Sequence, residues 1–240
     1  MKAIQLFVAF IYIILHFIVS IIIGVIPAKF LELIGLEKRA ENWLKLNGKF
    51  LSKGIIFSLG GRVVVEGVEN IPLDDRRICF VSNHRSFVDI PLIVTYIPVL
   101  LGFVAKIELK RVPFLRGWMK ALGCVYIDRT SARSSVKAIF DGVKVIKGGH
   151  PLVIFPEGTR SKSEEIGDLK AGSLKLATRA KAIIIPITIY NSHTLLEKRT
   201  GSSLINTIRL KIHEPVATAE MSDQELKELP SKVFATIREQ

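Results

Sequence analysis

His84 and Asp89 stand five residues apart in the segment Ser82-Asn83-His84-Arg85-Ser86-Phe87-Val88-Asp89, directly after a run of β-branched and aromatic residues. A histidine takes a proton from a hydroxyl when a carboxylate on its other ring nitrogen fixes the tautomer and stabilises the imidazolium. The spacing works if the chain turns between the two residues and Asp89 enters a helix running through Pro91 to Tyr96. Alone, an H-x4-D pattern is weak and recurs by chance. Its company strengthens it. Lys106 follows the run Gly102–Ala105, Asp128-Arg129 follow Cys124–Ile127, and Pro156-Glu157-Gly158-Thr159-Arg160-Ser161 follow Leu152–Phe155. Lys106, Arg129 and Arg160 are able to gather on one anionic group, and backbone N–H groups around Gly158-Thr159 to form an anion-binding concavity. Glu157 would repel a phosphate unless it holds an arginine or a substrate hydroxyl, so it is assigned to orientation. Taken singly, each of these cations reads as part of a solvated charged rim.

Other chemistries lack their patterns. The chain has no G-x-S-x-G elbow, no G-x4-G-K-[ST] loop, no G-x-G-x-x-G after the first strand and no H-E-x-x-H. Cys79 and Cys124 are too few for a disulfide scaffold or a structural zinc site, so no metal and no cofactor is expected. Ser86 is not expected to be a nucleophile, and His150, His193 and His213 read as structural or solvent-facing.

Loops of this kind need strands beneath them. Val63–Glu66, Ile78–Val81, Gly102–Ala105, Cys124–Ile127, Leu152–Phe155, Ile183–Tyr190 and Thr207–His213 read as strands. Pro113–Leu122, Ala132–Lys147, Lys170–Ala180 and a final segment from about Asp223 to Arg238 read as helices, the second capped by Thr130 or Ser131 and stopped by Gly148-Gly149. The alternation predicts an α/β fold, a mostly parallel or mixed central sheet flanked by helices. In such sheets the ligand crevice lies at the carboxyl ends of the strands, where all four polar loops fall.

The 240 residues are 49% hydrophobic, with 34 Lys+Arg against 22 Asp+Glu, a formal net charge of +12 and a mean hydropathy of +0.36, which excludes intrinsic disorder. The apolar excess is concentrated at the start. Ala3 to Ile26 carries no charged residue, and as a helix it would be about 36 Å long, enough to cross a bilayer core. Gln5, Ala9, Tyr12, His16, Ser20 and Gly24 form one polar and small stripe that needs a partner. The partner expected is Ala28 to Phe57, a basic amphipathic helix suited to an acidic leaflet. A single crossing and a hairpin immersed in one leaflet both satisfy this pattern. Gly60-Gly61 marks the boundary between a membrane-binding segment, residues 1–60, and a catalytic domain, residues 61–240. Nucleic acid is not expected as a partner, because the lysines interleave with a membrane-competent apolar face.

At this point the residues resemble those of the 1-acylglycerol-3-phosphate acyltransferases of the glycerolipid acyltransferase superfamily. Asn83-His84 to Asp89 looks like the family's N-H-x4-D motif, Gly123 to Arg129 like its G-x3-I-D-R stretch, Phe155 to Arg160 like its F-P-E-G-T-R block, and Ile184-Ile185-Pro186-Ile187 like its apolar-Pro strand. Phe103 to Leu109, and Ala171-Gly172 opening a helix, are also similar to family sequence. Arg85 stands where a Gln is frequent. The resemblance implies transfer of an acyl chain from acyl-CoA or acyl carrier protein to the sn-2 hydroxyl of lysophosphatidic acid. His84 would be the base and Asp89 its orienting partner, with no acyl-enzyme. It further implies that Asn83, Lys106, Arg129, Glu157, Gly158, Thr159 and Arg160 bind substrate. The domain would face the cytoplasm from the cell membrane, in contact with anionic lipid. Two alternatives stay open: the same chemistry on glycerol 3-phosphate or another lysophospholipid, and a non-catalytic lipid-binding protein.

Overall fold

A computed structural model describes residues 2–161, 166–197 and 205–239, without the side chains of residues 2–6, 9 and 132. The chain is an α/β structure with a mixed central sheet. Its strands are β1 (Gly61–Glu66), β2 (Ile78–Ser82), β3 (Gly102–Lys106), β4 (Val125–Ile127), β5 (Leu152–Ile154), β6 (Ile183–Tyr190), β7 (Asn206–Ile212) and β8 (Val216–Ala217), in the order β1-β7-β6-β2-β5-β3-β4 with β8 also on β6. From β6 to β4 every pairing is parallel, whereas β7 and β8 run antiparallel to β6. Five parallel strands therefore send their carboxyl ends to one edge. β2, the middle strand of the seven-strand order, is buried along its whole length, which is why it reads as an apolar run rather than an alternating one.

Helices cover both faces. On one face α3 (Glu37–Ser58) and α4 (Asp89–Tyr96) pack with the sheet, and Leu44, Leu51 and Ile55 share a single core with Leu92, Ile93, Ile185 and Ile187. On the other, α6 (Ala132–Lys147), α7 (Lys175–Ala180) and α8 (Asp223–Arg238) bury Ile146, Leu176, Val233 and Phe234. Of the two cap residues expected for α6, Ser131 is the one used. Its Oγ accepts from the Ser134 amide at 3.2 Å, while Thr130 turns back to Asp128.

Three boundaries differ from the sequence reading. α5 (Leu115–Ala121) starts after Pro113 because Phe114 takes a positive φ of 61°, outside the helical region. Lys170 lies outside α7, since its amide is bonded to the Pro156 carbonyl at 3.1 Å and a 3₁₀ turn, Ala171–Leu174, intervenes. The first helix does not end at Pro27. α1 (Lys2–Ser20) passes through a π-turn, Ile21–Val25, into α2 (Ile26–Leu33), and the reversal comes at Gly35, φ 77°. Pro27 falls in the first turn of the restarted helix, where its missing N–H is not needed.

The stripe on α1 meets α3, as its composition required. His16 lies between Tyr12 and Phe50, with ring centroids 5.0 and 5.3 Å away, and the Tyr12 hydroxyl lies over Gly54, where a Cβ would collide with it. Ser20 Oγ accepts from Trp118 Nε1 of α5 at 2.8 Å. Gly24 lets the Trp118 ring approach. The side chains of Gln5 and Ala9 are outside the described ones. Within the helical span Phe10–Leu33, 24 residues long, the most apolar window has a mean hydropathy of 2.6 and is 17% buried, so the span is long and apolar enough to cross a membrane.

Candidate active site

The turn after β2 is built around one carboxylate. Asp89, fully buried at the start of α4, uses Oδ2 to accept from the amides of Arg85 and Ser86 at 2.7 and 2.9 Å and meets Nδ1 of His84 at 2.8 Å. The two amide bonds coil residues 85–89 back on themselves, and that is how a spacing of five closes into contact. Nδ1 is committed to Asp89, and Nε2 is the ring nitrogen chemically able to accept a proton. The imidazole stacks on Phe155, ring centroids 4.1 Å apart, which fixes its plane.

The loop after β5, the neighbour of β2, clamps the histidine's backbone. Glu157 is buried and accepts from the His84 amide at 2.6 Å and from the Gly167 amide at 3.1 Å, and the Ser161 amide donates to the His84 carbonyl at 2.8 Å. Burial pushes the Glu157 carboxyl above its ordinary range by more than these amide donors draw it down. Asn83, also buried, spends both ends of its amide on β6: Nδ2 donates to the Ile189 carbonyl at 2.9 Å and Oδ1 accepts from the Ile189 amide at 2.8 Å. Both residues thus position the His84 turn.

The cations fall into two groups. Arg129 and Lys170 meet at Gly158, whose left-handed backbone (φ 74°) keeps that spot free of a side chain; a Cβ there would lie 3.4 Å from Lys170 Nζ and 4.0 Å from Arg129 Nε. Arg160 is tied to Glu197, Nη1 to Oε1 at 3.1 Å, and stacks over Phe87 at 3.5 Å from the ring centre. Lys106 is exposed on the rim and paired with Glu108 at 2.8 Å. The Gly158 amide donates to the Phe155 carbonyl, and Thr159 is exposed beside it. Lys170 and Glu197 carry no local signal in sequence: one reads as a helix start, the other as an ordinary residue past β6. Phe155 could have been found from its place at the end of an apolar run facing the His84 loop.

A cavity of about 360 Å³ adjoins the turn, lined among others by Phe87 and Val88, by Phe103 and Ala105 of β3, and by Phe17, Leu51 and Ile55 of the first helices. Its walls are apolar, which suits a hydrocarbon chain. The thiols of Cys79 and Cys124 are pushed up to about 12 by burial, so neither supplies a nucleophile at neutral pH.

Residues 62–190, the stretch holding every one of these loops but that of Glu197, match the acyltransferase family. The chain belongs to that family of enzymes. It is 30% identical over 175 residues to the 1-acyl-sn-glycerol-3-phosphate acyltransferase of Borreliella burgdorferi, covering 72% of this chain and 68% of that one. It is 34% identical over 190 residues to a probable enzyme of the same name from Mycoplasma pneumoniae, covering 76% and 69%. A chloroplast 1-acyl-sn-glycerol-3-phosphate acyltransferase of Arabidopsis thaliana is 33% identical over 163 residues, 65% of this chain, but these span only 44% of that longer protein. The crystal structure of the 1-acyl-sn-glycerophosphate acyltransferase PlsC from Thermotoga maritima superposes with a TM-score of 0.78 at 27% identity, covering 99% of this chain and 95% of that one. The acyltransferase thus shares its whole architecture, first helices included, with a solved relative.

Proposed function

We propose that this acyltransferase moves an acyl chain from acyl-CoA or acyl carrier protein to the sn-2 hydroxyl of lysophosphatidic acid, forming phosphatidic acid. The observation that carries the reading is the 2.8 Å contact of His84 Nδ1 with buried Asp89, at the strand edge where an apolar cavity and two groups of cations converge. Nε2 of His84 takes the hydroxyl proton as the oxygen attacks the thioester carbonyl. The tetrahedral intermediate collapses with loss of the thiolate, and the imidazolium returns the proton to it. A thioester is reactive enough for positioning and one general base to suffice, so no acyl-enzyme is needed. Arg160, Arg129, Lys106 and Lys170 take the acceptor's phosphate, Gly158 and Thr159 shape the loop that receives it, and Asn83 and Glu157 hold the base in place.

Residues 1–60 act as the membrane-binding segment and 61–240 as the acyltransferase domain. α3 lies antiparallel to α1, with Trp43 Nε1 donating to the Ile23 carbonyl at 2.9 Å, and it carries Lys38, Arg39, Lys45, Lys49 and Lys53 along the same length. A transbilayer α1 would draw these charges into hydrocarbon, which favours a hairpin immersed in one leaflet, with anionic lipid as its partner. The cytoplasmic face of the cell membrane, where thioesters are made, fits such a placement.

The test is thiol release by purified protein in vesicles, given oleoyl-CoA with lysophosphatidic acid, glycerol 3-phosphate or lysophosphatidylcholine. Lysophosphatidic acid is expected to be the acceptor used, and His84→Ala to abolish its use while the protein stays folded and lipid-bound. An active His84→Ala enzyme would overturn the mechanism; absence of thiol release with any donor and acceptor would favour a lipid-binding role.

A further inference from the structure

Three donors from two loops are aimed at a single carboxylate, that of Glu197. The Ser86 hydroxyl donates to Oε2 at 2.7 Å, the Phe87 amide to Oε1 at 2.9 Å, and Arg160 Nη1 to Oε1 at 3.1 Å. The donors are held firmly. Ser86 is fully buried and its Oγ accepts from the Val88 amide at 3.0 Å, while the Arg160 guanidinium rests on the Phe87 ring. A hydroxyl, a backbone amide and an arginine converging in this way form a receptor for an oxyanion. They lie on the two loops that carry His84, Asp89 and Glu157, and Arg129 and Lys170 meet at Gly158, two residues from Arg160.

We propose that Glu197 is an internal anion, held by Ser86, Phe87 and Arg160 where the acceptor's phosphate is to bind, and that its competition with an incoming ligand selects phosphate monoesters over phosphodiesters. The inference rests on the lysophosphatidic acid reading and deepens it. A phosphate monoester carries close to two negative charges at neutral pH and three free oxygens, so it outcompetes a singly charged carboxylate for the same donors. A phosphodiester has one charge and two free oxygens, no better than the tethered carboxylate it must displace. Discrimination thus comes from an element that penalises the wrong ligand, in addition to contacts that favour the right one.

The test uses the full chain in detergent micelles, as wild type, Glu197→Gln and Glu197→Ala, titrated with inorganic phosphate and followed by ³¹P NMR. Both variants are expected to bind phosphate more tightly, Glu197→Ala by about fivefold, the strength of one favourable ion pair removed from the competition. In acyl transfer, the ratio of kcat/KM for lysophosphatidic acid over lysophosphatidylglycerol is expected to fall by about the same factor. Phosphate affinity unchanged or weaker in both variants overturns the proposal, as does an unaltered acceptor ratio. The two readings fail separately: a wild type that acylates no lysophosphatidic acid removes the substrate reading, while the phosphate titration still decides whether Glu197 occupies an anion seat.

Discussion

Replacing Asp89 by Asn keeps the shape of the side chain and deletes its charge. In the native turn Oδ2 accepts all three contacts, from His84, Arg85 and Ser86, and Oδ1 has no partner among the described residues. The new amide keeps its oxygen toward these donors and places its NH2 where Oδ1 was, buried and without an acceptor. That unsatisfied group costs about 1–3 kcal/mol, and two hydrogen bonds to backbone amides weaken from charge-assisted to neutral at about 1 kcal/mol each. Stability is therefore expected to fall by about 3–5 kcal/mol. The rate falls for another reason. The imidazolium formed during proton transfer loses its counter-charge, worth about 4 kcal/mol at about 4 Å and an effective dielectric of about 20, or about a thousandfold. Acceptor KM is expected to change less than kcat, because the Asn oxygen still accepts from the Ser86 amide and keeps that part of the loop in place. Steady-state thiol release over a range of lysophosphatidic acid, with thermal unfolding in parallel, checks both parts. A folded Asp89→Asn enzyme whose kcat stays within about tenfold of wild type would refute the role given to the pair.

The Glu157 carboxyl is raised by burial, so the folded state holds that proton more tightly than the unfolded chain. Its contribution to stability is present at acid pH and is lost as the pH rises above the ordinary 4.5 and through the folded value. The thermal midpoint of Glu157→Gln, followed against pH from about 4.5 upward, is expected to decline less than that of wild type; parallel declines would contradict this. Gly48 lines the cavity, and a Cβ there would sit 3.4 Å from Val94 Cγ1. Gly48→Leu should shorten the preferred acyl chain, at about 0.8 kcal/mol for each methylene excluded, measured with acyl-CoAs of graded length; an unshifted preference would mean that the chain lies elsewhere. Trp118→Phe removes the indole bond to Ser20 and is expected to destabilise by about 1 kcal/mol, whereas Trp118→Ala should cost about 3–5 kcal/mol, read by denaturant unfolding in detergent.

The parts of the molecule fixed by local pattern were legible in the sequence. β2 is announced by its apolar run, α6 by its cap and glycine stop, and the His84–Asp89 contact by a spacing that one turn closes. What could not be read depends on pairs far apart in the chain. Glu197 meets Ser86 across 111 positions, and Asn83 meets Ile189 across 106, so its amide is spent on β6 rather than on a ligand. Lys170 reaches the site only because its amide is anchored to Pro156. The charge-free segment stops at Ile26, but the helix runs on past Pro27 because a π-turn just before it absorbs the break, a backbone adjustment that side-chain periodicity does not report.

The cavity beside His84 has one wall made of Phe17, Leu51 and Ile55, residues of the same helices whose other faces expose Phe10, Leu15 and Phe57. The same two helices therefore separate the exposed apolar faces from the cavity. On the proposed placement in one leaflet, lateral pressure and bilayer thickness would bear on the wall of the cavity proposed for the acyl chain, and so on the choice of chain.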